Sequence, residues 1–176
     1  PSVVGDAWLL AGSRYLYVLK PPVPAESLDD GLKARGPGWL MRMEPDGTAR
    51  KTLPLPEGAS LVYQSSAVLE GEKLLLVLCQ QEENGAQAWY LAEADFDAGT
   101  LQHRLDLDEG TTAHLYGACA RGPILGLRKA GEDQQLCLYD LEKNALEPIP
   151  FGGEDAPWCL DGHAGTVYCP EGEAVC

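Results

Sequence analysis

Ser66-Ala-Val-Leu-Glu-Gly-Glu-Lys-Leu-Leu-Leu-Val-Leu-Cys79 is the stretch that decides the fold. A short apolar run, a turn around Gly71 and a longer apolar run read as two antiparallel strands. Leu74 to Leu78 shows no polar alternation, so its strand is expected to be buried on both faces. Gln80 to Gln87 is a polar loop, after which Ala88–Ala94 and Leu101–Leu107 make an outer hairpin. The same unit recurs along the chain. Its inner turns centre on Gly12, Gly71, Gly122 and Gly162, and its outer hairpins begin at Trp39, Trp89 and Leu136.

A period of roughly 40 to 50 residues made of four short strands is the pattern of a propeller blade. The expected fold is therefore all-β, a β-propeller-like array of four-stranded antiparallel blades, with about three and a half blades present. The units fall at approximately 6–56, 65–108, 115–152 and 157–176. Thirteen prolines and twenty glycines punctuate the apolar runs, as an all-β chain requires. Only Ala25–Arg35 and Ala92–Gly99 carry any helical pattern; the first lacks a second apolar turn, and the second reads better as a strand entering a turn. Lys20 to Gly38 is a long, Pro- and Gly-rich insertion in the first unit and is expected to be mobile. In the fourth unit, Trp158–Leu160 and Thr166–Cys169 flank a turn at Asp161-Gly-His163, and the pattern then stops. Such an arc leaves apolar blade faces uncovered, so the remaining blades are expected from missing chain or a second copy, unless the Ser2-Val-Val4 strand pairs with the last unit. The chain opens at Pro1, which fits a longer product whose leader or preceding residues have been removed.

Composition narrows the partners. Hydrophobic residues are 45% and charged residues 23% of the chain, enough apolar content for a packed core. Thirteen basic against 27 acidic residues give a formal charge of −14. Nucleic-acid binding depends on Lys and Arg neutralising phosphates, so no nucleic acid is expected as a partner. Anionic lipid surfaces are disfavoured on the same ground. No membrane-spanning segment is expected, since no stretch approaches the roughly 18 to 20 apolar residues that a helix needs to cross.

Residues that could carry chemistry do not assemble into a motif. Cys79, Cys119, Cys137, Cys159, Cys169 and Cys176 form no C-x-x-C and match no zinc-site spacing. The first four lie in apolar runs, where a thiol behaves as a small hydrophobe; a Cys169–Cys176 pairing stays open. Asp161-Gly-His163 beside Cys159 and Cys169 can be drawn as a metal cluster but reads as a hairpin turn. His103 lies on an outer strand and His114 at a unit junction, neither with an acidic residue at fixed spacing, so no Ser/His/Asp assignment follows. Asp29-Asp30, Glu82-Glu83 and the Asp106–Asp108–Glu109 group read as solvated loops. Phosphate-cradling glycine loops and calcium-loop spacings are missing. Trp8, Trp39, Trp89 and Trp158 fall near strand starts, and the match of Trp39 with Trp89 predicts packing between blades. The sequence thus assigns no catalytic residue, no metal ligand and no cofactor, and it leaves the binding residues unknown.

Two hairpins carry a resemblance. Met43-Glu-Pro-Asp-Gly-Thr48 and Leu138-Tyr-Asp-Leu-Glu-Lys-Asn-Ala-Leu146 resemble the outer turns of bacterial propeller-type lipoproteins and sensor-like repeat proteins. The likeness extends from Trp8 to Tyr168 as a repeat pattern, without the Trp-Asp strand ends of WD repeats, the double glycine of kelch repeats or the Asp box of sialidase-like propellers. A repeat fold with no assembled catalytic constellation leads to the expectation of a non-enzymatic binding scaffold that recognises a protein, peptide or glycan through blade loops, extracellular or at the cell surface. The competing expectation is a propeller-type hydrolase or lyase with its active site at the central channel. Fold alone does not separate the two.

Overall fold

The computed structural model describes residues 7–22, 38–82, 85–119, 122–149, 159–161, 166–168 and 174–175, with the last three stretches and residues 63, 64 and 119 described through their backbone alone. Every regular element among them is a strand. The first sheet is a meander of β1 (Trp8–Ala11), β2 (Leu16–Lys20), β3 (Trp39–Met43) and β4 (Lys51–Pro54). The second contains β5 (Ala59–Val68), β6 (Leu74–Gln81), β7 (Gln87–Asp95) and β8 (Thr100–Asp106). The third contains β9 (Thr111–Cys119), β10 (Gly122–Lys129), β11 (Gln135–Asp140) and β12 (Ala145–Pro148). A smaller three-stranded sheet joins β13 (Cys159–Asp161), β14 (Thr166–Tyr168) and β15 (Ala174–Val175). All pairings are antiparallel between consecutive strands. β1 lies beside β5, β5 beside β9 and β9 beside β13, so the first strand of each sheet forms the inner edge of a blade array.

The core sits between sheets, and β6 shows why. Leu74, Leu76 and Leu78 pack toward the first sheet, on Tyr17, Leu19 and Leu40. Leu75 and Val77 point the other way, onto Ala113, Leu115 and Leu125 of the third sheet. All five β6 residues are fully buried, because a strand exposes alternate side chains to two faces and here both faces are covered. Apolar surface stabilises at roughly 25 cal/mol per Å2 buried, so this double burial stabilises the middle blade from both sides.

The outer turns of the second and third sheets share one device. Asp95 Oδ1 accepts from the N–H groups of Asp97 and Ala98, both at 2.9 Å, and the turn closes through Gly99 at φ 71°. Asp140 Oδ1 accepts likewise from Glu142 and Lys143, at 3.0 and 2.9 Å, with Asn144 at φ 53° in the closing position. Asn is among the few non-glycine residues that tolerate this left-handed conformation.

Several expectations shift. The second sheet begins at Ala59 rather than near Ser66, because β5 continues through an irregularity between Leu61 and Ser66. β9 likewise starts at Thr111, ahead of Gly117. The fourth unit does not stop after two strands, since Ala174–Val175 adds a third. Gly122 opens β10 instead of centring a turn. Trp39 and Trp89 are not equivalent: Trp89 packs on the core between the second and third sheets, whereas Trp39 alternates with the buried Leu40 and so faces away from the second sheet. Most of the Lys20–Gly38 insertion, the Asp161–His163 turn, Asp29-Asp30, Glu83 and Trp158 lie wholly or in part outside the described residues, as do the Cys119, Cys159, Cys169 and Cys176 side chains.

Candidate functional site

Two clusters of polar side chains first act as fasteners between blades. Glu72, in the β5–β6 turn, reaches into the β1–β2 turn of the neighbouring sheet. Its carboxylate accepts from the Ser13 hydroxyl, from Arg14 N–H at 2.9 Å and from the Tyr17 hydroxyl at 2.5 Å. Partial burial alone would raise the Glu72 carboxyl, but these donors outweigh it and hold the group below its ordinary 4.5. Burial, and then the bond to Glu72, push the Tyr17 phenol well above its ordinary range. Gly12 is needed for this approach, since a Cβ there would overlap Glu72 Oε2.

The second fastener is Arg42, 4% exposed, which forks onto Asp97 with bonds of 2.7 and 3.2 Å. Lys51 Nζ adds a third contact to Asp97 at 2.6 Å, and the guanidinium lies 4.2 Å from the Tyr15 ring centre. Hydrogen bonds from Arg42 and Lys51 hold the Asp97 carboxyl far below the usual carboxylate range. Arg104 repeats the role one blade on: it donates to the Leu141 carbonyl at 3.0 Å, and its own carbonyl accepts from Asn144 at 2.7 Å.

At the inner edge, Ser65 on β5 meets His114 on β9. Ser65 Oγ lies 2.9 Å from His114 Nδ1 and accepts from Leu115 N–H at 3.4 Å. The His114 ring stands edge-on to Tyr116, whose hydroxyl accepts from Gln134 at 2.6 Å. This Ser–His pair was invisible in the sequence, because 49 residues separate its members. It has the distance of a nucleophile and base, yet Ser65 is 1% exposed, and among the described residues no carboxylate pairs with His114.

A groove of about 460 Å3 opens between the second and third sheets. Leu105, Leu107, Leu127 and Leu146 form its floor and continue the core between those sheets. Asp106 at the end of β8, Asp108 in the β8–β9 turn, and Glu132 and Asp133 in the β10–β11 turn also line it, together with Lys129. Asp106 bonds His103 Nε2 at 2.9 Å, and the His103 ring stacks on Tyr90. No serine, cysteine, histidine or aromatic residue lines the groove.

The remaining candidates are dispersed. Cys79 on β6 and Cys137 on β11 are free thiols in separate sheets, both pushed up by burial. Among the described residues no three His, Cys, Asp or Glu converge as a metal ion would need, and no helix is long and apolar enough to cross a membrane.

No protein-family model matches the chain, and no curated protein matches it. Among solved structures, the fold is similar to that in the crystal structure of TolB from Acinetobacter baumannii, with a TM-score of 0.54 and 11% sequence identity. The match covers 89% of this chain and 34% of that one, so the chain spans about a third of the solved protein's length. At that identity the likeness is one of fold: the sheets are blades of a β-propeller array.

Proposed function

We propose that the protein is a non-enzymatic binding scaffold that recognises a protein, peptide or glycan through its blade edges and loops. The observation that carries this reading is the groove, which joins an apolar floor to a polar rim. In the same reading, residues 1–176 are one partial propeller, whose open first face is covered by further blades from missing chain or a second copy. Its place of action is extracellular or at the cell surface, on the likeness of its hairpins to those of propeller lipoproteins.

A second reading, a hydrolase or lyase working at the inner edge, is favoured by the 2.9 Å Ser65–His114 contact. The two readings separate in one assay. Incubation with chromogenic ester and glycoside substrates is expected to give no turnover above buffer. Turnover that Ser65→Ala or His114→Ala abolishes would replace the scaffold reading with the enzymatic one.

A further inference from the structure

The groove between the second and third sheets sets exposed carboxylates beside half-buried leucines. Several carboxylates elsewhere are matched to cations: Glu44 to Arg14, Asp97 to Arg42 and Lys51, Glu93 to Lys73, and Asp140 and Glu147 to Lys143. At the groove mouth, Asp108, Glu132 and Asp133 form no ion pair with any described residue, while half-buried leucines lie directly beneath. Resting on the scaffold reading, we propose that this groove is the docking site of a basic, apolar-centred peptide segment. One large aliphatic or aromatic side chain enters between the sheets, and flanking Lys or Arg residues meet the rim carboxylates.

The chemistry selects this occupant over others. A bare cation needs several ligands converging on one point, and the described carboxylates do not converge. A bound sugar commonly stacks on an aromatic ring, and none lines the groove. An anionic lipid surface would be repelled by the rim. A peptide uses both features at once. The floor accepts a side chain that loses water contact, and the rim steers and orients the charges on either side. A volume of about 460 Å3 falls within the range of sites that enclose small ligands.

The test uses the full 176-residue chain and fluorescein-labelled Lys-Lys-Leu-Phe-Lys-Lys, followed by fluorescence anisotropy. Binding is expected, weakening about tenfold or more when the central pair is replaced by Ser-Ser. It should also weaken about fivefold or more in the double variant Asp108→Asn, Asp133→Asn, and as salt rises from ~50 to ~300 mM. Both substituted residues are exposed, so folding is expected to be unaffected. A control variant with the same charge change at exposed positions outside the groove, Glu57→Gln with Glu70→Gln, should bind like the parent. The proposal is overturned if the labelled peptide does not bind, if the Ser-Ser analogue binds equally well, or if the groove and control variants behave alike. Any of these would leave the scaffold reading standing, because only catalytic turnover removes that one.

Discussion

Glu72 concentrates the tension between local and long-range preference in this chain. Its backbone sits at φ 60°, a left-handed conformation that costs a non-glycine residue roughly 1 to 2 kcal/mol. The following turn geometry would suit glycine, yet the carboxylate binds three donors of the adjacent blade, and hydrogen bonds to a charged group contribute about 1.5 to 3 kcal/mol. The second effect is the larger, so Glu72→Gly should lower stability by roughly 1 kcal/mol despite relieving the backbone. The midpoint of urea unfolding reads this directly, and a more stable variant would show that the fastener contributes nothing net. The pH dependence has a definite sign. The folded carboxyl lies below its ordinary 4.5, so its contribution is present above that value and fades as pH falls through the lower folded one. The gap between parent and variant should accordingly narrow in acid.

At the scale of elements, the sequence showed the inner strands where apolar runs were continuous and lost them where a bulge intervened. Leu74–Leu78 was legible because five consecutive apolar residues leave no solvent face. The first half of β5 was not, because the pairing breaks between Leu61 and Ser66 and the period of two slips with it. The groove escaped for another reason: its carboxylates come from the end of one blade and a turn of the next, so each group alone reads as a solvated loop. Ser65 and His114 likewise meet only once two blades are docked. The double burial of β6 makes a sharp prediction. Leu76 is fully enclosed against the first sheet, in the apolar cluster with Tyr17, Leu19 and Leu40, and Leu76→Asp places a carboxylate there. The cost is several kcal/mol or neutralisation of the group, so the melting temperature should collapse or the chain fail to fold. An unchanged melt contradicts the placement of β6 in the core.

At the scale of the whole molecule, what matters is which blade faces are covered. Both faces of the second sheet are closed by neighbours, and Ile124, Leu136 and Leu138 on the far face of the third are buried as well. The first sheet differs. Leu9, Val18 and Met41 form one cross-strand row on the face turned away from the second sheet, with Leu16 and Met43 beside it. None of these is fully buried, and Leu9 is 59% exposed. The chemistry of this row matches that of the closed faces, so it can bury itself against a like surface. Opposing this is the charge of −14, which makes copies repel at low salt. The 176-residue polypeptide should therefore sediment as a species heavier than 18.9 kDa, with its mass rising on addition of salt as the repulsion is screened. Leu9→Lys combined with Met41→Lys should return it to a monomer without lowering its melting temperature, because both positions are already in contact with water. If association persisted unchanged in that variant, the contact would lie on another surface. If the parent were monomeric at every salt concentration, the apolar row would be too small to hold two copies together, and the open face would carry no energetic demand for a neighbour.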